Sequence, residues 1–311
     1  MAAGSGATQE EVRRHNLSTL LTRIHRDGAT SRAALTAHMG LNRSTIGALT
    51  TDLADAGLVR EQPGGPASRS RSGGGRPSHV VVPQAERVFV LAVDIGVSRI
   101  VAARVGLGGT VLDRRDLTHE RHQHGLADVV RVVAGACEDL LAAARRRGRC
   151  LGVGAGVPGA VSRGDGVVRF GPNLGWVDEP FGEALATRLA LPVHVGNDAD
   201  LGVLAEHTRG VAVGCDHVAY LSGEVGIGGG FLVDGRPLAG FGGYAGEIGH
   251  LVVHPEGRRC RCGARGCWET EVGEDALLEL AGRPLGGGAR AVREVFDAVA
   301  AGDPTACAAA H

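Results

Sequence analysis

Cys260-Arg261-Cys262-Gly263-Ala264-Arg265-Gly266-Cys267-Trp268-Glu269, with Glu247-Ile248-Gly249-His250 shortly before it, is the stretch on which the reading of this 311-residue chain turns. Three thiols crowded into eight positions and an imidazole ten residues upstream supply the four nitrogen and sulfur ligands of a closed structural zinc site. Glu247 and Glu269 lie in the same segment, so a metal would pin a loop that presents both carboxylates to a ligand. The chain has seven Cys. Its first residues carry no signal-peptide pattern and no apolar run reaches the roughly 18 residues that span a bilayer. A cytoplasmic protein with no membrane partner is therefore expected, and a reducing compartment favours metal or buried thiols over disulfides. Cys137, Cys150, Cys215 and Cys307 sit in or beside apolar or strand-like stretches and read as structural.

Outward from that segment, length allows two or three domains with cores of their own. Gly is very abundant at 51 residues, aromatics are scarce, and all 33 basic residues are Arg, most simply a coding bias. Charge is unevenly spread. Residues 1–87 hold 11 Arg against 7 acids, and the remaining 22 Arg stand against 27 acids. A basic front on an acidic remainder suits a nucleic-acid-binding head on a different kind of body.

Residues 15–60 read as three helices and a turn. Leu17, Leu20, Leu21 and Ile24 recur at helical spacing until Asp27-Gly28. Ser31 caps a short helix through Leu35 to Met39, stopped by Gly40, and Asn42 caps a third in which Ile46, Leu49 and Leu53 face inward until Gly57. Two short helices separated by Met39-Gly40-Leu41-Asn42 form a helix-turn-helix. The third helix then presents Arg43, Ser44 and Thr45, a guanidinium for guanine and hydroxyls for base or phosphate. Leu58–Arg60 and Val80–Val82 read as two strands, and the Gly- and Arg-rich connection between them, with Arg69, Arg71 and Arg76, as a cationic wing. The competing reading is a small helical bundle for protein contacts.

Beyond the wing the pattern becomes α/β. Strands are expected at Val88–Val93, running into Asp94-Ile95-Gly96-Val97-Ser98-Arg99, at Ile100–Val105 and near Thr110–Leu112. A helix follows over Leu126–Arg147, then strands at Leu151–Val157 and Val193–Val195. Gly196-Asn197-Asp198-Ala199-Asp200 falls where the last strand meets a helix, so its amide and carboxylate either grip ligand hydroxyls or cap that helix. Asp198 also qualifies as a general base for phosphoryl transfer to a hydroxyl. After a strand from Val218 to Leu221, Ser222–Gly230 reads as a Gly-rich loop whose N–H groups suit phosphate, with Glu224 opposing an anion there.

These motifs resemble the ROK family of repressors, open reading frames and kinases. The resemblance is carried by Asp94-Ile95-Gly96, Val157-Pro158-Gly159, Pro172-Asn173-Leu174-Gly175-Trp176, Asn197-Asp198-Ala199, Gly226–Gly230, Gly246–His250 and Cys260–Glu269. Ser31-Arg32, Gly57-Leu58-Val59 and Gly75-Arg76-Pro77 resemble the winged helix-turn-helix of ROK repressors of the xylose and N-acetylglucosamine type. The resemblance implies an α/β chain: a winged helix-turn-helix head over 1–62, a basic wing and linker over 63–87, and an actin-like, ribonuclease H-like body. That body has one lobe over 88–196 and a second over 197–311, which carries the zinc segment and stops at His311, short of further family helices. Structural zinc on His250, Cys260, Cys262 and Cys267 is implied, as is a sugar held by Asn197, Asp198, Glu247, His250 and Glu269, with Gly159 and Asn173 as weaker contacts. Arg32 and Arg76 join Arg43, Ser44 and Thr45 as implied DNA contacts.

The chain departs from family kinases, whose first phosphate loop reads Asp-x-Gly-Gly-Thr-Lys. Val97, Ser98 and Arg99 take the last three places, and a Val where Gly lets backbone approach phosphate disfavours ATP and its magnesium. Gly223-Glu224-Val225 replaces Gly-Thr-Gly in the second loop. The expectation is thus a non-enzymatic, sugar-responsive repressor of sugar-utilisation genes, binding operator DNA as a homodimer or higher oligomer. The alternatives are an ATP-dependent hexose or N-acylhexosamine kinase with Asp198 as base, and a repressor governed by a sugar-transport protein. Which sugar and which operator are not legible.

Overall fold

A computed structural model of the chain describes residues 8–64, 78–118, 125–144, 147–223, 225–238 and 240–310. The chain divides into two compact units, one gathering 1–91, 103–114 and 137–151, the other 92–102, 115–136 and 152–311.

The first unit opens on α1 (Gln9–Asp27), which starts eight residues ahead of the leucine pattern because Thr8 and Glu11 form a capping box. β1 (Thr30–Ser31) leads to α2 (Arg32–Met39), where the Ser31 hydroxyl accepts from Ala34 N at 3.1 Å and Gly40 ends the helix in the left-handed region at φ 64°. α3 (Arg43–Asp55) is capped by Asn42, whose Oδ1 accepts from Thr45 N at 2.8 Å. β2 (Val59–Gln62) and β3 (Val80–Pro83) pair antiparallel, Val59 opposite Pro83, and β1 adds to the far side of β3. The helix, turn, helix and strand order is as read from the sequence; the β1 strand is new. One apolar cluster, including Leu20, Ile24, Leu35, Ile46, Leu49 and Val81, holds the three helices against this sheet. The connection bearing Arg69, Arg71 and Arg76 lies outside the described residues.

Along the body run β4 (Val88–Ile95), β5 (Arg99–Gly106), β6 (Val111–Thr118), α4 (Leu126–Ala143) and β7 (Arg149–Val157). β8 (Ala160–Val161), β9 (Val168–Gly171), β10 (Trp176–Glu179), α5 (Phe181–Leu189) and β11 (Val193–Asn197) follow. A five-stranded sheet has the order β11-β7-β4-β5-β6, with β11 parallel to β7. In the first unit, the β5–β6 turn meets α1: Gly108 N donates to His25 Nδ1 at 3.1 Å. Arg104 is buried, donating to Asp113 at 2.8 Å with its guanidinium 5.1 Å from the centre of the Phe89 ring. Cys137 is buried on α4, and burial pushes its thiol up to about 12, so it packs as an inert apolar group.

The second unit continues with α6 (Asp198–Arg209), β12 (Val218–Gly223), β13 (Ile227–Val233) and β14 (Arg236–Pro237). α7 (Trp268–Val272), α8 (Glu274–Leu280), α9 (Gly288–Ala300) and α10 (Pro304–Ala309) close the chain, the last three around Leu278, Val295 and Ala306. One expectation is corrected here. Ser222–Gly230 is not a loop throughout, because Ser222 and Gly223 end β12 and residues from Ile227 onward form β13, paired antiparallel with β12 with Gly230 opposite Tyr220. The glycines serve packing: a Cβ on Gly230 would lie 2.3 Å from Ala199 O, and one on Gly229 2.6 Å from Ile248 Cδ1. Only a strand without side chains lets α6 and the Ile248 turn approach so closely.

Candidate functional site: a polar cleft beside a four-donor metal cluster

The carboxyl ends of β7 and β11 bring Pro158, Gly159, Asn197 and Asp198 to one cavity of about 80 Å³. Its remaining wall comprises Gly96, Val97, Pro172, Asn173, Ser222, Val225 to Gly229, Gly246, Glu247, His250 and Glu269. All six residues expected to hold a sugar line this one cavity despite spanning almost a hundred positions of sequence, and Gly159 joins them. Two amides, carboxylates, a hydroxyl and an imidazole converging in so small a space can exchange hydrogen bonds with vicinal hydroxyls.

Asn197 does both jobs that the sequence left open. Its Oδ1 caps α6 by accepting from Asp200 N at 3.0 Å, and its Nδ2 donates to Gly159 O at 3.0 Å. One N–H and one lone pair remain for a ligand. Asp198 Oδ1 accepts from Ala199 N at 2.8 Å at the helix start. Burial raises the Glu247 carboxyl above its ordinary range, the nearby Glu269 and Asp200 add to this, and His250 opposes it. Asp200 itself is raised by burial, and its Oδ1 is buried without a hydrogen bond among the described residues. Neither Asp200 nor Ser222 was assigned a role from sequence. Arg261 was also missed: its Nη1 donates to Asn173 Oδ1 at 2.9 Å, holding that amide at the cavity edge.

Behind this wall lie His250, Cys260, Cys262 and Cys267, whose donor atoms all fall within 4.8 Å of one another. Cys262 and Cys267 sulfurs are 3.6 Å apart, as are Cys260 Sγ and His250 Nδ1. Tetrahedral metal–sulfur bonds of about 2.3 Å need donors about 3.8 Å apart, so the four could hold one metal ion with little movement. Burial pushes the Cys260 and Cys267 thiols up, so a metal has to displace protons that the protein otherwise retains. His250 turns Nδ1 toward the thiols, while Nε2 lies 3.7 Å from Glu247 on the cavity side. Cys260 donates to Glu269 Oε1 at 3.1 Å; loss of that proton to a metal would free the carboxylate for the cavity.

In the head, Arg43 and Ser44 are exposed and Thr45 is half-buried at the start of α3, with the Ser44 hydroxyl donating to Asn42 at 2.7 Å. Arg32 behaves differently. Its Nε donates to Glu61 Oε1 at 3.0 Å and its Nη2 pairs with the same oxygen, tying α2 to β2. Arg76 lies outside the described residues.

The ROK family profile matches residues 90–311, more than half of the chain. This chain belongs to the ROK family. A putative xylose repressor of Caldicellulosiruptor sp. is 31% identical over 253 residues, 80% of this chain and 61% of that protein, so the chain spans less than two thirds of its length. The crystal structure of a ROK family transcriptional regulator, homolog of the E. coli MLC protein, superposes with a TM-score of 0.71 at 27% identity, covering 95% of this chain and 76% of the other. A ROK family glucokinase from Streptomyces griseus in complex with glucose and AMPPNP gives a TM-score of 0.59 at 29% identity, covering 71% of this chain and 74% of that one. The body therefore has the α/β ROK fold, shared by regulators and sugar kinases. Among the described residues no helix is long and apolar enough to cross a membrane.

Proposed function

We propose that this protein is a sugar-responsive, DNA-binding transcriptional regulator, a repressor of sugar-utilisation genes whose effector sits in the ROK cleft. The observation that carries the reading is coverage: the regulator structure matches 95% of the chain, reaching into the three-helix head, where the glucokinase covers 71%. The head is a winged helix-turn-helix with α3 as its recognition helix. Arg43, Ser44 and Thr45 face the major groove, and Arg32 acts from behind, fixing α2 to the sheet through Glu61. Operator binding as a homodimer places two such helices on successive half-sites.

The metal is zinc, held by His250, Cys260, Cys262 and Cys267 and structural, since all four positions are filled by protein. When bound it fixes the His250 ring and the Glu269 segment at the cavity wall. Asn173, Asn197, Asp198, Glu247, His250 and Glu269 then read the hydroxyl pattern, each group left unpaired by a wrong sugar costing about 1–3 kcal/mol. The kinase reading is disfavoured by Val97, which is 5% exposed and fills the loop where family kinases carry a phosphate-approaching Gly. Release requires the sugar to bind the DNA-free state more tightly than the operator-bound one. Isothermal titration of sugar into free and operator-bound protein tests this: a weaker affinity in the complex is expected, and equal affinities would sink the mechanism. ADP release on adding ATP and sugar, abolished by Asp198→Asn, would restore the kinase.

A further inference from the structure

A second cavity, about 250 Å³ in volume, opens beside the first and shares Asn173, Val225 and Glu269 with it. Its outer wall is made by Arg258, Arg259 and Arg261 of the metal-bearing segment, Thr270 of α7, and Asp275 and Glu279 of α8. The proposed sugar contacts at Asn173 and Glu269 are thus a shared partition rather than a closed end.

Its chemistry narrows what it takes. Among the described residues three guanidinium groups face three carboxylates, counting Glu269, so no net charge singles out an anion or a cation. Among the described residues Val225 and Ala276 are its only apolar lining residues, too few to select a hydrophobic ligand. Some of the polar groups are already matched: Arg258 Nη1 lies 3.0 Å from Glu279, and Arg261 donates to Asn173. Arg259 has no side-chain hydrogen bond or ion pair among the described residues, and its five N–H donors remain to be used. N–H donors beside carboxylate acceptors are what vicinal hydroxyls satisfy, and the volume far exceeds the roughly 15 Å³ needed for one water.

We propose that the effector is a disaccharide or longer glycoside, with one ring in the first cavity and the next in the second, gripped by Arg259 and Asp275. This rests on the sugar-sensing reading above and extends it to the size of the sugar. The step involves binding alone, with no bond made or broken.

Isothermal titration of the full chain with xylose, glucose and N-acetylglucosamine, with their β-1,4-linked dimers, and with glucose 6-phosphate tests it. At least one dimer should bind about tenfold or more tightly than its monomer. Arg259→Ala, at an exposed side chain whose loss does not threaten folding, and separately Asp275→Asn, should remove most of that gain and leave the monomer affinity within about twofold. Monomers binding as tightly as every dimer, or a dimer advantage that survives both substitutions, would overturn the second-ring assignment while leaving sugar sensing intact. Glucose 6-phosphate binding more tightly than every dimer would reassign the second cavity to an anion. If no sugar of either size binds, the sugar-sensing reading itself fails.

Discussion

The head and the segment that carries the four clustered donors are built by opposite means. In the head, eight apolar side chains are at most 5% exposed and lock α1, α2 and α3 on their sheet, each contributing about 1.5–3 kcal/mol by leaving water. Between His250 and α7, Leu251, Val252 and Val253 are all more than half exposed, and Cys260 and Cys267 are buried instead. That segment has no apolar core to order it. Four convergent donors stand in its place, so a bound metal would order this segment as solvent exclusion orders the head.

Metal removal should therefore produce the largest effect of any treatment. Structural zinc contributes about 10–16 kcal/mol in small metal-dependent folds, far more than any side chain here can supply. Stripping with a strong chelator, or Cys267→Ser, should abolish sugar binding by titration calorimetry. Hydrogen exchange should rise across residues 251–272 and stay low in α1, α2 and α3. Protection that persists in 251–272 with no metal bound would break the contrast. The mirror experiment is Ile46→Ala in the head core, expected to cost about 2–5 kcal/mol. Exchange should then rise in the three helices and operator binding weaken, with metal content and sugar affinity unchanged.

The contrast also explains what the sequence disclosed. The four clustered donors were legible from the spacing of His250 and three Cys, the cleft residues through the resemblance to the ROK family, and Ile46, Leu49 and Leu53 from helical periodicity. Arg32 and Gly226–Gly230 were harder. A guanidinium in a basic head looks like a DNA contact until Glu61, 29 residues away, is seen to accept from it. A glycine run looks like a phosphate loop until the carbonyl of Ala199 is found where a side chain would stand. Both depend on long-range neighbours that local pattern cannot reveal. The capping box at Thr8 and Glu11, by contrast, was a local signal that the leucine pattern overshadowed.

Two glycines turn that last distinction into a measurement with opposite signs. Gly230→Ala would set a methyl 2.3 Å from Ala199 O and 3.0 Å from Val203 Cγ1, forcing α6 off β13 at a cost of about 1–3 kcal/mol. Because Asn197 and Asp198 begin α6, sugar affinity should fall with stability. Gly135→Ala, in the middle of α4 with nothing within 4 Å of the added carbon, should stabilise the chain by about 0.5–1 kcal/mol. Denaturant midpoints of the two variants decide the matter; a stabilising Gly230→Ala would mean that α6 and β13 are not held in this contact.

The smallest effect separates two asparagines that occupy the same helix position in the two regions. Asn42 Oδ1 accepts from Thr45 N and from the Ser44 hydroxyl, and among the described residues its amide nitrogen donates to nothing; Asn197 uses both ends of its amide, Oδ1 for α6 and Nδ2 for Gly159 O. An Asp keeps the acceptor and loses the donor. Asn42→Asp should therefore leave head stability within about 0.5 kcal/mol, since Asp and Asn cap equally well, whereas Asn42→Ala should cost about 1 kcal/mol. Asn197→Asp sets a carboxylate oxygen against the Gly159 carbonyl and should cost about 1–3 kcal/mol together with sugar affinity. Equal melting temperatures for the two Asp variants would mean that the Asn197–Gly159 bond contributes nothing, and Asn197 would then be a helix cap of the same kind as Asn42.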